Sequence, residues 1–251
     1  MRIGPVDQTD GMPTGLDGNP HPIRTARRDA VLDAVADRVC EVACARPLVG
    51  VDGRSGSGKS TFADELARRL GERGVVTIRS TTDSFHRPRR ERLTRGPSSA
   101  DGYYLDSHQL DRIVSELLIP FANGASEVLT AAFDEPTDTQ VECVVDVAPM
   151  AVLVFDGLFV HRPEFATLWD VSVLLDADER RDAEWLSFLL DDLPSAPTER
   201  AAELDRRLEL SRWPRYRSGW RAYVGDIAPS RRATFVVDNS DVARPRLIES
   251  S

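Results

Sequence analysis

The stretch Gly53-Arg54-Ser55-Gly56-Ser57-Gly58-Lys59-Ser60-Thr61 fits the pattern G-x-x-x-x-G-K-[ST] at every position. Upstream, Leu48-Val49-Gly50-Val51 is a short apolar run that reads as a buried strand; downstream, Phe62, Leu66 and Leu70 recur at helical spacing. A glycine-rich turn between a strand and a helix can curl its backbone N–H groups around phosphate oxygens, and the helix adds the positive end of its dipole. In such a loop Lys59 reaches the β- and γ-phosphates and the Ser60 hydroxyl meets Mg²⁺. Gly53, Ser55, Gly56, Ser57, Gly58, Lys59, Ser60 and Thr61 are therefore the expected nucleotide-binding set.

Lys59 is the only lysine in the chain. Every other basic aliphatic side chain is arginine, so a compact ammonium is kept at the one place where a planar guanidinium is no equivalent.

A chain of 251 residues can form one α/β domain with a sizeable core, and 41% hydrophobic and 29% charged residues are ordinary for a globular protein. The net charge of −9 argues against a surface made for nucleic-acid backbone. No apolar run approaches a membrane-spanning length, and Met1–Asp10 lack the pattern of a signal peptide, so a cytoplasmic protein without membrane partner is expected. Cys40, Cys44 and Cys143 read as reduced thiols. No pair of histidines or cysteines has metal-site spacing, which leaves Mg²⁺ to arrive with the nucleotide.

Residues 1–22 are rich in Gly, Pro and Asp and read as a tail, leaving residues 23–251 as the domain. Val31, Val35, Val39 and Val42 mark an amphipathic helix over about 24–45. A second strand is expected at Val75–Ile78, leading into Ser80-Thr81-Thr82-Asp83-Ser84-Phe85, so Asp83 falls at a strand's carboxyl end, where ligands bind in open parallel sheets. Arg87–Arg95, crowded with Arg and Pro, has no clear period and reads as a solvated loop or as a cover over an anionic ligand, with composition favouring the loop. Ser107 is the expected N-cap of a helix carrying Leu110, Ile113, Leu117 and Phe121. Two β-rich runs around Asp134–Asp138 give a hairpin over about 127–147. Ala151–Phe155, followed by Asp156-Gly157, and Val171–Leu175 read as buried strands. A helix is expected over Asp178–Leu190, and an arginine-rich helical segment over Thr198–Tyr223, together a lid over about 178–223. Thr234–Val237 is the last expected strand.

Among proteins with such a loop, a guanine-specific switch needs an Asn-Lys-x-Asp segment that a single-lysine chain cannot supply, and the signature of a transporter ATPase is absent. Small-molecule kinases remain, and they need a carboxylate to accept the proton of the attacking hydroxyl.

The phosphate loop, Thr82–Phe85, Asp101–Asp106, Phe133-Asp134, Asp156-Gly157, Arg215-Tyr216 and Val237-Asp238-Asn239 together resemble the uridine kinase family, related to phosphoribulokinase and bacterial pantothenate kinase. The resemblance runs from about Leu48 to Asn239. It implies a P-loop fold with a mostly parallel sheet, and ATP with Mg²⁺ and a small-molecule hydroxyl as partners, in a chain whose relatives are often homo-oligomers. It implies Asp83 as general base, Lys59 on the transferring phosphoryl group, and Ser60 and Asp156 for the metal. Asp101 would hold ribose hydroxyls, with Tyr104 and His86 beside the substrate, and Phe133 would wall the pocket. Arg215 and Arg217 would come from the lid. The family's Mg²⁺-associated glutamate is Asp156 here, its stacking tyrosine is Phe133, and its base-reading histidine is Asp138. A histidine that donates and an aspartate that accepts do not select the same ligand. A nucleoside 5′-hydroxyl is the first expected acceptor. A sugar or pantothenate-like compound, or a regulatory protein that has lost catalysis, are the alternatives.

Overall fold

The computed structural model describes residues 24–180, 196–210 and 213–248. Strand β1 (Leu48–Gly53) is buried at all six positions because it is central in a sheet covered on both faces. Its neighbours are β5 (Val152–Gly157) and β6 (Val171–Asp176), both parallel to it. With β2 (Thr77–Thr81), β7 (Phe235–Asp238) and β8 (Arg246–Ile248) the order is β2-β5-β1-β6-β7-β8, and β8 alone runs antiparallel to its neighbour. Strands β3 (Glu127–Asp134) and β4 (Thr139–Asp146) form the expected hairpin as a separate two-stranded sheet.

Side-chain alternation divides the core. Val49, Val51, Val154 and Val173 face α1 (Ala26–Cys40) and α2 (Lys59–Glu72), which contribute Val31, Val35, Phe62, Leu66 and Leu70. On the other face Leu48, Leu153 and Phe155 meet Ile113, Leu117, Phe121 and Phe165. The Ile113–Phe121 stripe lies on a continuous helical segment: α5 (Leu110–Arg112), a π-helical stretch (Ile113–Leu118), then α6 (Ile119–Ala122). Its expected apolar face is the buried one.

Four expectations shift. The second strand begins at Thr77 rather than Val75, because the Val75 N–H closes α2 on the Leu70 carbonyl (3.0 Å). Arg87–Arg95 is not wholly loop: Arg89–Arg92 makes one helical turn, α3. Ser107 does not cap the helix that follows it. Its hydroxyl donates to the Tyr103 carbonyl (2.7 Å), closing α4 (Ala100–Leu105), while Arg87 N–H to Ser107 O (2.9 Å) and Gln109 N–H to Phe85 O (2.8 Å) hold 107–109 extended. The arginine-rich segment is two helices, α7 (Pro197–Leu210) and α8 (Trp213–Ile227). The short strand β8 was not expected; three residues are too few to carry an alternation.

The expected tail and most of the expected helix at Asp178–Leu190 lie outside the described residues. Among the described residues no helix is long and apolar enough to cross a membrane.

Candidate active site

The phosphate loop runs from the carboxyl end of β1 into α2, with Gly56 (φ +75°) and Gly58 (φ +85°) in the left-handed region that lets it turn. Its outer carbonyls are held by neighbours. Asn239, just beyond β7, donates its Nδ2 to the Ser57 carbonyl (2.7 Å) and its N–H to the Asp176 carbonyl (2.7 Å). A Cβ on Gly58 would lie 3.0 Å from that Nδ2. Arg54 donates Nε to Ala177 O (2.8 Å), and Lys59 Nζ lies 3.2 Å from Arg54 O, across the loop. A loop braced from outside keeps its inward N–H groups for an anion.

Beneath it Asp52 is fully buried and accepts from Gly53 N–H (2.8 Å), His161 Nδ1 (2.8 Å) and the Tyr223 hydroxyl of α8. His161 Nε2 meets Ser172 Oγ at 3.0 Å. Burial and the Asp52 carboxylate push the Tyr223 phenol far up, so it stays a donor. His161 is structural, and the network fastens α8 to the base of the loop.

Ser60 donates Oγ to Asp156 Oδ2 at 2.7 Å. Asp156, 1% exposed, gives its other oxygen to Arg79 Nη2 (2.7 Å), and Arg79 also donates to Asp64 (2.9 Å). A hydroxyl and a carboxylate oxygen at the loop mouth are hard donors that suit Mg²⁺, a cation that keeps several waters. Arg79 was missed by sequence reasoning, since nothing distinguishes one strand arginine in a chain that uses arginine almost everywhere.

Strands β2 and β5 pair Thr81 with Asp156, so Asp83 follows two residues beyond that level. It sits exposed in the turn Thr82–Phe85, its N–H donating to Thr81 Oγ1 (3.3 Å). The turn presses on β5: a Cβ on Gly157 would fall 2.2 Å from Thr82 Oγ1, which itself accepts from Leu158 N–H (3.2 Å).

The other expected residues fall into three groups. Arg215 and Arg217 approach the loop. The Arg215 guanidinium lies over Tyr103 (5.3 Å), whose hydroxyl is 2.9 Å from Ser55 Oγ, and Arg217 lines a small pocket with Arg54, Ser55 and Trp220. Tyr104 and Phe133 are packed: Tyr104 lies under Arg162 (4.7 Å) and edge-on to Phe159 (4.9 Å), and Phe133 is 3% exposed within β3. Asp101 and Asp138 are exposed. Asp101 is in the first turn of α4, whose cap is Ser99 Oγ on Gly102 N–H (3.0 Å). Asp138, at the hairpin tip with φ +54°, accepts the Arg89 N–H on Oδ1 (2.8 Å) and lies 3.7 Å from Arg92.

His86 is paired with a residue of a distant segment, His108. An isolated antiparallel bridge opposes His86 and His108, their ring centroids 4.7 Å apart. His108 is 2% exposed, its Nε2 has no hydrogen-bond partner among the described residues, and burial followed by the charge of His86 holds its pKa well below the usual imidazole range. Asp83, His86 and His108 each offer a ligand atom within 4.8 Å of the other two. The absence of metal-site spacing along the chain thus did not carry into space.

No protein-family model matches the chain. A uridine kinase of Leuconostoc citreum (strain KM20) is 31% identical over 136 residues, covering 53% of this chain and 64% of that protein. The solved structure of a possible uridine kinase from Bacillus stearothermophilus superposes with a TM-score of 0.65 at 20% identity, over 83% of this chain and 97% of that one. The chain is thus similar to uridine kinases in sequence and shares a P-loop kinase fold. The fold reaches further than the family name. D-glycerate 3-kinase from Cryptococcus neoformans var. grubii shares it with a TM-score of 0.53 at 12% identity, over 91% of this chain and 99% of that one. The chain spans less than two thirds of the length of the curated relatives it matches, 64% and 63% for the first two.

Proposed function

We propose that this chain transfers the γ-phosphoryl group of Mg·ATP to a hydroxyl of a small molecule, the 5′-hydroxyl of a nucleoside first. The observation that carries the reading is the Ser60–Asp156 contact at the mouth of the phosphate loop, with Asp83 at the end of the strand paired to β5. Loop N–H groups and Lys59 take the charge that grows on the phosphoryl oxygens, and Mg²⁺ held by Ser60 and Asp156 would supply further neutralisation. Asp83, exposed beside that centre, accepts the proton as the acceptor oxygen attacks in line. Arg215 and Arg217 add positive charge from α8.

A second acceptor class, a sugar or hydroxy acid, draws support from Asp138, whose carboxylate is engaged with Arg89 and Arg92 rather than standing free to read a base. An ADP-release assay with Mg·ATP against nucleosides, sugars, D-glycerate and pantothenate separates the two. Uridine or cytidine turnover is expected, lost by at least about 10²-fold in Lys59→Ala. A Lys59→Ala protein that keeps full turnover, or silence across the panel with ATP bound, would reject phosphoryl transfer.

A further inference from the structure

The side chains of Asp83, His86 and His108 come together for reasons that phosphoryl transfer does not require. Arg87 N–H to Ser107 O and Gln109 N–H to Phe85 O flank the His86–His108 pair, which makes it the close, non-hydrogen-bonded kind of antiparallel pair. Directly opposed residues of that kind put their side chains on one face, and here the two rings lie 4.7 Å apart. Gln109 Nε2 donates to the His86 carbonyl (2.7 Å), a third fastening.

The donor chemistry is settled by the partners. His86 Nδ1 faces the Asp83 carbonyl oxygen at 3.0 Å, so Nδ1 carries the proton and Nε2 keeps a free lone pair. A ring N–H given to a backbone carbonyl is the outer contact that metal-ligating histidines use to fix tautomer and orientation. His108 Nε2 is buried without a hydrogen-bond partner among the described residues, an arrangement that costs stability unless a ligand satisfies it. Asp83 supplies an exposed carboxylate three residues before His86.

We propose that Asp83, His86 and His108 form a binding site for a transition-metal dication of the Zn²⁺ type, distinct from the Mg²⁺ position at Ser60 and Asp156. Two imidazoles and one carboxylate suit zinc and its neighbours in the first transition row, whereas Mg²⁺ prefers oxygen alone. Ligand atoms in a tetrahedral zinc site stand about 3.3 Å apart, so the present separations, up to 4.8 Å, close by side-chain rotation of Asp83 and His86 around the buried His108. Three protein ligands leave one position open toward solvent. The consequence for catalysis rests on the kinase reading: a carboxylate bound to the metal cannot accept the acceptor's proton, so zinc occupancy switches transfer off.

The test uses the tag-free full chain without nucleotide, titrated with Co²⁺ and Zn²⁺ in excess Mg²⁺. One metal per chain is expected, with visible Co²⁺ bands displaced by Zn²⁺. X-ray absorption at the zinc edge should show two imidazoles and no sulfur, which also tests Cys40, Cys44 and Cys143 as competing ligands. His86→Ala and His108→Phe should each weaken binding by more than about tenfold, the lower end of losses caused even by outer-sphere changes. Absence of a stoichiometric site, thiolate scattering, or unchanged affinity in both variants would overturn the proposal. Zinc inhibition is then compared with turnover in the same protein. Wild-type turnover should fall as the site fills and that of His108→Phe should not; inhibition alike in both would overturn the switch. A chain that phosphorylates nothing would reject the kinase reading and leave the spectroscopic result standing.

Discussion

On the proposed reading, the donor side and the acceptor side of the site both lie at the carboxyl ends of the strands, yet they differ in how they are held. Asp52, Asp156 and Asn239, which lie at and beneath the phosphate loop, are no more than 1% exposed, and each has a partner from another element. Asp83 and Asp138 stand at the surface, on a short turn and a hairpin tip. Buried polar groups must be satisfied, so removing one partner on the donor side leaves a desolvated orphan. On the acceptor side the same removal exposes a group to water. Mutations on the two sides should therefore separate into those that cost stability with nucleotide binding and those that cost chemistry alone.

The largest expected effect lies on the acceptor side. Asp83→Asn keeps the shape and removes the proposed base, so kcat should fall by about 10² to 10⁴-fold while ATP affinity and melting temperature stay at wild-type values. Turnover retained in this variant would remove Asp83 from the chemistry and erase the contrast.

Next comes a donor-side brace. Asn239→Ala leaves the Ser57 carbonyl and the Arg28 guanidinium short of a partner, at a cost of about 1–3 kcal/mol. Thermal unfolding should shift down by about 2–4 °C for each kcal/mol. Nucleotide affinity should fall with it, because the loop loses the contact that orients one carbonyl outward. Unchanged affinity with lowered stability would mean that the loop holds its shape without Asn239.

This contrast also explains what could be read in advance. The phosphate loop was legible because its residues are contiguous, and β1, β5 and β6 because burial on both faces writes itself as an unbroken apolar run. Asn239 appeared as the close of the last strand and of the family resemblance but with no role of its own, since that role depends on Ser57, 182 positions away. Ser107 was misjudged for a reason of the same kind. The bridge to His86 overrides local capping preference, and a bridge between distant segments leaves no periodic trace.

The smallest expected effect sharpens the role of the hairpin tip. Asp138 combines a left-handed backbone (φ +54°), which Asp and Asn tolerate better than most residues, with an Oδ1 that accepts the Arg89 N–H at 2.8 Å. Asp138→Ala loses both advantages and should cost about 1 kcal/mol, as a lost helix cap does. Asp138→Asn keeps the backbone tolerance and an oxygen acceptor, so its stability should stay near wild type. If the tip works by holding α3 against the hairpin, Asp138→Ala raises the acceptor KM several-fold without moving the ATP KM, and Asp138→Asn restores it. If the carboxylate instead reads the acceptor, Asp138→Asn changes which acceptor is preferred while leaving the melting temperature alone. The two variants together thus decide whether the acceptor side is tuned by packing at its rim or by a polar contact made to the substrate itself.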